Sequence, residues 1–378
     1  FFFNRLLNLR EITMECENYH PTTRQLPPQQ LMTIAALIMA GSLSISTQAA
    51  ESDAEGNKTL KTVTVKDTLD SATASKENLL VKKTGIAKGQ QDLKDIPQTV
   101  TVMTEKLMDD RNMDDFREVM KSTAGVTFQA GETGEEDVRM RGFSLAQAGD
   151  IYVDGMRDAP LIERDMFNVD RVEVLKGSAS MLFGKGSTGG VVNQVSKQPF
   201  LMDQSEANLT VGNGNSRRLT VDFNLHTGQS EALRINGVLH EADNWGAQVD
   251  KKGIALAYRW HVGERDEYGV SLYHLESKGR PLYSHPWLLN AASGPANLVP
   301  VLPANNFYGL SSDYLNTTTT HATFTHLHRF DSKTELKTTL RHGEYERNLL
   351  GTQISWAPGT TLSNITDSTV LRRNAPKC

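Results

Sequence analysis

Residues 167–199 read FNVDRVEVLKGSASMLFGKGSTGGVVNQVSKQP, and the fold follows from this stretch. From Arg171 to Lys176, charged residues are interleaved with valine and leucine, a pattern typical of a strand with one buried face. Glycines then stand at positions 177, 184, 186, 189 and 190. Glycine tolerates positive φ and lets two backbones approach closely, so these glycines predict a compact turn. The strand pattern resumes at residues 191–195, and the stretch therefore predicts a strand, a turn and a second strand.

The glycines of this stretch do not match a phosphate-binding loop. A P-loop has four residues between its first glycine and its Gly-Lys-Ser/Thr, whereas here Lys185 is followed by Gly186 and the spacing from Gly177 differs. The alternative that remains is a tight glycine turn inside some β-rich domain.

Three further stretches precede this one in a fixed order: DIPQTVTVM at residues 95–103, VRMRGF at 138–143 and IYVDG at 151–155. Together with VEVLKG at 172–177 and GGVVN at 189–193, they resemble the plug domain of the TonB-dependent outer-membrane receptors. Each motif alone is weakly specific, but five in the same order are strongly so.

The resemblance also narrows the subfamily and implies a fold. Arg164-Asp165 and Phe167-Asn168, which precede the glycine turn, are most similar to the catecholate siderophore receptors. The fold implied is a mixed α/β plug domain at residues 91–200, followed by the N-terminal part of an antiparallel transmembrane β-barrel at residues 201–378. The complete barrel of this family has about 22 strands.

Composition and the N-terminal region indicate which partners and which compartment to expect. The net charge of −5 gives no argument for a nucleic-acid partner, and Cys16 and Cys378 suggest no disulfide framework. We interpret residues 1–49 as a leader, because the apolar run at 31–45 and the small residues that follow it are typical of a signal peptide. A buried helix is the alternative. No later run reaches the ~20 apolar residues of a membrane helix, so a membrane location would require a barrel.

Residues 50–90 are polar and predict a flexible tether with one strand-prone island. The island is KTVTV, formed by Lys61, Thr62, Val63, Thr64 and Val65. It is either a stray strand edge or a donor strand that pairs with the sheet of a partner protein. The resemblance implies the second, because the TonB box of the family occupies this place and binds the TonB energy transducer.

Within the plug region, residues 99–103 predict a strand and residues 104–120 a helix capped by Thr104 and stopped by Gly125. From about residue 204, long strands alternate strictly. Leu219, Val221, Phe223 and Leu225 alternate with polar residues, and residues 254–262 repeat the pattern. Such strands occur in transmembrane barrels, with apolar residues outward, and also in soluble sandwiches.

The connections favour the barrel. Short polar links at residues 228–230, 264–266 and 331–333 alternate with longer ones at 243–252 and 277–315, as periplasmic turns alternate with extracellular loops. Residues 201–378 have room for only about seven or eight strands. Since the sequence then ends on polar NAPKC, we expect the barrel in this chain to be truncated.

Arginine is the informative residue type for a ligand site. Arg139, Arg141, Arg157 and Arg164 crowd the middle of the plug region, where they either pair with nearby carboxylates or bind an anionic, aromatic ligand by charge and stacking. In the family, the arginine of the RGF motif lies near the outward apex of the plug, which points to Arg141. The predicted siderophore contacts, some of them aromatic, are Arg141, Arg157, Arg164, Phe167, Tyr283 and Trp287.

No catalytic constellation is evident, so the sequence does not predict an enzyme. His326 and His328 share one strand face, but no cysteine or carboxylate accompanies them at a usual ligand spacing, and we predict no metal site. The resemblance implies TonB-dependent import of a ferric siderophore across the bacterial outer membrane, with outer-membrane lipid and TonB as partners and no cofactor beyond the iron of the cargo. The alternatives are a receptor for haem or cobalamin and a secreted β-rich adhesin.

Overall fold

The computed structural model describes residues 79–86, 89, 91–129, 137–145, 149–184, 188–281, 286–290, 297–300, 302–303, 306–332, 334–361 and 363–376. The predicted leader, the strand-prone island at residues 61–65 and Tyr283 lie outside these residues. Among the described helices, none is long and apolar enough to cross a membrane.

The first part of the described chain, up to Ser196, has short strands and short helices. The strands are β1 (Lys83–Thr84), β2 (Gln91–Asp92), β3 (Thr99–Thr104), β4 (Val126–Gln129), β5 (Asp137–Met140), β6 (Phe143–Ser144), β7 (Ile151–Val153), β8 (Met156–Arg157), β9 (Val169–Lys176) and β10 (Gly190–Ser196). The helices are α1 (Glu105–Asp110), α2 (Phe116–Lys121) and α3 (Ser180–Phe183), with a 3₁₀ turn at Leu93–Asp95.

Five of these strands form a central sheet in the order β3-β9-β10-β7-β8. Strands β9 and β10 pair antiparallel from Gly190 opposite Lys176, which confirms the two predicted strands; the link between them contains helix α3. The prediction of a single buried face for β9 is wrong. Glu173 is fully buried as well. Its carboxylate can be buried because Arg171 donates to it at 3.0 Å and Asn193 at 3.1 Å.

The glycine pair at 189 and 190 has a steric reason. A Cβ on Gly190 would collide with the carbonyl oxygen of Leu175 and with the sulfur of Met140, and one on Gly189 would collide with the carbonyl oxygen of Met140. The GGVVN motif therefore packs directly on the VRMRGF motif, at a distance that only glycine permits.

The predicted helix at 104–120 is two helices. Thr104 caps α1 as expected, accepting a hydrogen bond from the Leu107 amide at 3.3 Å. The helix ends at Asp110, and Asn112 has a φ of +50°. Asp115 then caps α2 by accepting from the Glu118 amide at 2.9 Å. A second capping residue inside one apolar pattern is the signal that the sequence interpretation missed.

The core of this first domain lies between α1, α2 and the central sheet. It contains mostly methionine and valine, including Phe116, Val119, Met120, Val138, Met140, Val172, Val174 and Val192, all of them fully buried. A second cluster on the other face of the sheet includes Ile86, Tyr152, Leu175 and Val191.

The second part is one antiparallel sheet with sequential strand order. Its eight strands are β11 (Gln204–Gly212), β12 (Ser216–Gly228), β13 (Glu231–Asn244), β14 (Ala247–Trp260), β15 (Asp266–Gly279), β18 (Tyr314–Arg329), β19 (Glu335–Trp356) and β20 (Val370–Pro376). A separate hairpin, β16 (Trp287–Asn290) with β17 (Asn297–Pro300), lies in the link between β15 and β18, and a 3₁₀ turn at Asp367–Thr369 precedes β20.

The prediction of a long link at residues 243–252 is wrong. Strands β13 and β14 pair up to Asn244 opposite Ala247, and only Trp245 and Gly246 form the turn. Both have positive φ, +48° and +102°, as in a type I′ hairpin. The polar residues around this turn belong to strand ends, so polarity there did not indicate a loop. The long link between β15 and β18 is present, but the links do not alternate strictly.

The two faces of the large sheet are inverted relative to a soluble sandwich. Apolar residues of the alternating sets are exposed, including Leu219, Leu225, Leu239, Ile254 and Leu272. The alternate polar set is buried against the first domain, including Arg218, Asp222, Asn224, Arg234 and Asn236. This is the apolar-outward arrangement of a transmembrane barrel wall, as the alternation predicted.

Candidate functional site

The first domain is held against the inward, polar face of the large sheet by charged contacts, and this interface is the most elaborate polar site of the described residues. The connecting segment after β10 is the first part to be held. The side chain of Asn224 accepts from the Phe200 amide at 3.1 Å and donates to the Phe200 carbonyl at 2.7 Å. Arg234 and Arg259 donate to the carbonyls of Gln198 and Pro199 at 3.0 and 3.1 Å.

The strongest of these contacts joins Arg218 of β12 to Asp165. The guanidinium donates two hydrogen bonds to the carboxylate, at 2.7 and 2.9 Å, and both side chains are almost fully buried. Arg218 Nε also lies 2.9 Å from Asp114, in the link between α1 and α2. Lys251 of β14 adds charge at 4.0 Å from Asp165 and 3.8 Å from Glu163.

The two carboxylates beside Arg218 have opposite pKa shifts. Burial by itself would raise the pKa of Asp165, but the hydrogen bonds and charge of Arg218, with the charge of Lys251, hold that pKa below its ordinary value. The pKa of Asp114 is raised, chiefly by burial and partly by the negative charges of Asp165 and Asp115, against the charge of Arg218. Asp165 is therefore the firmly ionised partner of the pair.

In a second contact the charges are reversed, because the cation is Lys197 from the segment after β10 and the wall supplies a carboxylate. Lys197 Nζ lies 2.8 Å from Glu105 of α1 and 3.2 Å from Asp222 of β12. Asp222 also accepts two hydrogen bonds from Arg234, at 2.9 and 2.7 Å. Lys197 thus ties helix α1 and the sheet wall to the same ammonium group.

A third contact uses the turn of the IYVDG motif. Arg341 of β19 donates to the Val153 carbonyl and to the Asp154 carboxylate, both at 3.2 Å. Asp154 also accepts from the amide and hydroxyl of Ser196, both at 2.8 Å. The aspartate of this motif is therefore an anchor to the wall as well as a turn residue.

An aromatic contact completes the interface. Phe167 is only 5% exposed and stacks on Tyr273 of β15 with ring centroids 5.7 Å apart. A Cβ on Gly253 of β14 would lie 3.0 Å from the Phe167 ring, so the glycine makes room for it. This placement supports an interface role for Phe167 rather than contact with a ligand.

Arg164 also makes its contacts within the protein. Its guanidinium donates to Asp158 at 3.0 and 3.1 Å and to the carbonyls of Ala159 and Ile162, and it lies over the Phe116 ring at 5.5 Å. The side chain is buried, so the structural role that the sequence left open is the one these contacts support.

Arg141 and Arg157 are exposed, unlike Arg164. Arg141 has a φ of +54° in the turn after β5, and its guanidinium lies beside Gly177. Arg157 ends β8, donates to the Tyr152 hydroxyl at 3.2 Å and lies over that ring at 5.8 Å. The structure does not bring Arg141 and Arg157 into one cluster with Arg164.

The aromatic residues predicted for the long link are only partly described. Trp287 pairs through its backbone with Pro300 in the β16–β17 hairpin. Tyr308, from the same link, is 2% exposed, donates to the Pro303 carbonyl at 2.7 Å and lies under Arg372 of β20. Tyr308 is therefore packed against other residues of the protein.

The sequence interpretation missed the wall residues Arg218, Lys251 and Arg341. Their signal was their place in the polar set of strictly alternating strands, where charged side chains facing a lumen need partners. The partners Asp114, Asp154 and Asp165 come from turns, and no spacing connects them to the strands. This arrangement holds the first domain against the inward face of the large sheet through ion pairs that can be broken.

Comparison with known proteins agrees with this architecture. Residues 92–191 match the family model of the TonB-dependent receptor plug domain. The chain is 29% identical over 293 residues to the catecholate siderophore receptor Fiu of Escherichia coli, and 30% identical over 221 residues to the probable TonB-dependent siderophore receptor PiuA of Acinetobacter baumannii. The crystal structure of Fiu in its closed form superimposes with a TM-score of 0.67 at 25% identity, over 78% of this chain and 43% of that one.

The matches cover much of this chain but less of the relatives. The aligned regions take in 73% of the chain for Fiu and 57% for PiuA, but only 37% and 30% of those proteins. The chain thus spans well under half the length of the relatives it matches.

Proposed function

Because the chain belongs to the TonB-dependent outer-membrane receptors, we propose that the complete protein binds a ferric siderophore at the cell surface and imports it. The observation that carries the proposal is the seating of the plug. The plug region, which has its own apolar core, lies on the polar face of a barrel wall and is held there by the buried pairs of Arg218, Lys197 and Arg341. A plug fixed in this way closes the lumen, and breaking a limited set of ion pairs would let it move.

In this proposal the chain divides at the boundaries expected from the sequence, with a leader at 1–49, a tether at 50–90, the plug at 91–200 and the barrel from 201 onward. The outward apolar face of the sheet contacts outer-membrane lipid. The island at residues 61–65 pairs with TonB as an added strand, which couples plug movement to energy from the inner membrane. The protein is a receptor and transporter, and the iron belongs to its cargo.

We assign the cargo to the catecholate class. The support is the resemblance to Fiu together with two exposed arginines, Arg141 and Arg157. A ferric catecholate is anionic and aromatic, and a guanidinium can both pair with its charge and stack on its rings. Tyr283 and Trp287 remain proposed aromatic contacts from the long link. Arg164 and Phe167 have lower priority because they are buried in protein contacts.

The test uses the complete receptor that contains this chain, in outer membranes of a strain without its own catecholate receptors. Arg141→Ala should weaken ferric-catecholate binding about tenfold, and Arg141→Lys should restore only part of it, because lysine keeps the charge but loses the planar fork. Arg111→Ala, an exposed arginine in the α1–α2 link, is the matched control and should bind normally.

Affinity is measured by fluorescence quenching, and transport by uptake of radioactive iron. Normal affinity in Arg141→Ala would remove this residue from the ligand site. If the unaltered receptor binds haem or cobalamin and no ferric catecholate, the cargo assignment fails while the family assignment stands.

A further inference from the structure

Three potential metal ligands meet on the outward face of the large sheet, across strands β15 and β18. The strand register places Asp266 directly opposite His328, and Tyr268 opposite His326. Since side chains two residues apart share a face of a strand, Asp266, His326 and His328 all lie on one face. They lie at the end of the sheet where Trp260 connects to Asp266 and Arg329 connects to Glu335 by short turns.

The donor atoms of the three side chains converge. Asp266 Oδ1 lies 3.0 Å from His326 Nε2 and 2.6 Å from His328 Nδ1, and all three donor atoms lie within 4.8 Å of one another. All three side chains are partly exposed. Because they lie beside the short turns, at the edge of the outward face, an ion can reach the site from the aqueous side.

Aromatic neighbours fix the orientation of both imidazoles. The Tyr268 ring stacks on His326 with centroids 4.6 Å apart and planes 9° apart. Phe330 meets His328 edge to face at 4.5 Å. Such packing reduces the conformational freedom that the rings would lose on binding an ion.

We propose that Asp266, His326 and His328 form a binding site for a divalent transition-metal ion, of which Zn²⁺ is the best fit. Zinc bonds of about 2.0–2.1 Å to nitrogen and oxygen place neighbouring tetrahedral ligands about 3.4 Å apart. The two observed separations from Asp266 Oδ1 to the histidine nitrogens would have to lengthen by less than an ångström. Two imidazoles with one carboxylate favour zinc, copper or nickel over calcium and magnesium, which prefer all-oxygen sites.

The sequence interpretation excluded this site for a reason that the structure corrects. The sequence interpretation found no carboxylate at a usual ligand spacing from His326 and His328, but the neighbouring strand supplies Asp266, some sixty positions earlier. A bound ion would join β15 to β18 next to their turns. Because the ion binds the paired strands and has no preformed site in the unfolded chain, it would stabilise this end of the sheet. The site faces away from the plug and does not depend on the proposed cargo.

The test is a zinc titration of the purified full chain in detergent after treatment with a chelator. Isothermal titration against ZnCl₂ should show one site that MgCl₂ does not fill. Cobalt(II), used as a spectroscopic substitute, should give the visible absorption of a four-coordinate nitrogen and oxygen site. His326→Ala, His328→Ala and Asp266→Asn should each weaken zinc binding about tenfold or more.

The matched control is His342→Ala, which removes a highly exposed histidine lying 3.7 Å from Glu344 on β19. It should leave zinc binding unchanged. Far-ultraviolet circular dichroism identifies any variant that has lost its strands, and the Asp266→Asn variant, which keeps the side-chain shape, preserves the test if a histidine variant unfolds. Absence of a stoichiometric zinc site, or equal affinity in Asp266→Asn and the unaltered chain, would overturn the proposal.

Discussion

The plug and the barrel wall bury opposite kinds of residue. In the plug, Phe116, Val119 and Val174 are fully buried and form a core of the kind found in water-soluble domains. In the wall, Arg218 is 4% exposed while Leu239 is 52% exposed. The plug is therefore stabilised mainly by burial of apolar surface, whereas the wall buries polar side chains against the plug and exposes apolar ones. Loss of an apolar side chain should consequently have unequal effects on plug stability in the two regions.

The largest expected effect is the loss of an apolar side chain from the plug core. Phe116→Ala should destabilise the plug by about 4 kcal/mol, because it removes a fully buried ring and leaves a cavity. Leu239→Ala removes an apolar side chain from the outward face of the wall and should leave plug stability unchanged. Hydrogen–deuterium exchange of plug amides, in the detergent-solubilised chain, compares the two variants. Equal protection of plug amides in both variants would contradict the different roles of apolar side chains in the plug and in the wall.

The next effect concerns the interface between the two regions. Asp165→Asn should cost about 3 kcal/mol, because it leaves the buried Arg218 with Asp114 alone, the more exposed of its two carboxylate partners. Asp250→Asn, which alters an exposed pair with Lys252, is the control and should cost less than about 1 kcal/mol. Protease cleavage at the link after β10 measures how readily the plug leaves the wall. If Asp165→Asn is cleaved no faster than the control, the buried pair does not hold the plug.

The smallest effect is a pH dependence with two opposing components. The pKa of Asp165 is below its ordinary value, so its contribution is complete above about pH 4 and is lost as the pH falls toward the folded value. The pKa of Asp114 is raised, so its protonation on acidification favours the folded state and partly offsets that loss.

Urea unfolding followed between pH 3 and 6 separates these components. Asp165→Asn should remove the loss of stability at the acid end, and Asp114→Asn should instead remove the gain in stability that accompanies acidification from pH 6. A profile in Asp165→Asn that matches the unaltered chain would show that this carboxylate does not govern acid release of the plug.

The local sequence pattern was enough to predict strands and helix caps. It wrongly predicted a loop where polar residues belong to strand ends. The hairpin of β9 and β10 and the Thr104 cap could be recognised because turn and cap chemistry is decided by adjacent residues. The turn at Trp245 and Gly246 was missed because the strands around it are polar at their ends, and residues 104–120 divide in two because Asp115 starts a second helix.

Which of the predicted site residues are buried could not be predicted, because contacts within the plug and between the plug and the wall decide it. Arg164 and Phe167 read as ligand residues in sequence, but one is enclosed by Asp158 and two carbonyls, and the other by Tyr273 and Gly253. No spacing along the chain could have paired Arg218 with Asp165, or Asp266 with His328.

The sequence by itself indicated the resemblance to the plug-domain family, the plug strands and the alternation of the wall, because glycine sterics and period-two patterning act within a few residues. Only the tertiary structure decided which charges hold the plug and which side chains converge on the outward face. Ion pairs and metal ligands depend on distances of a few ångströms between atoms from separate strands and turns. Those distances are set by strand register and by the packing of one domain on the other.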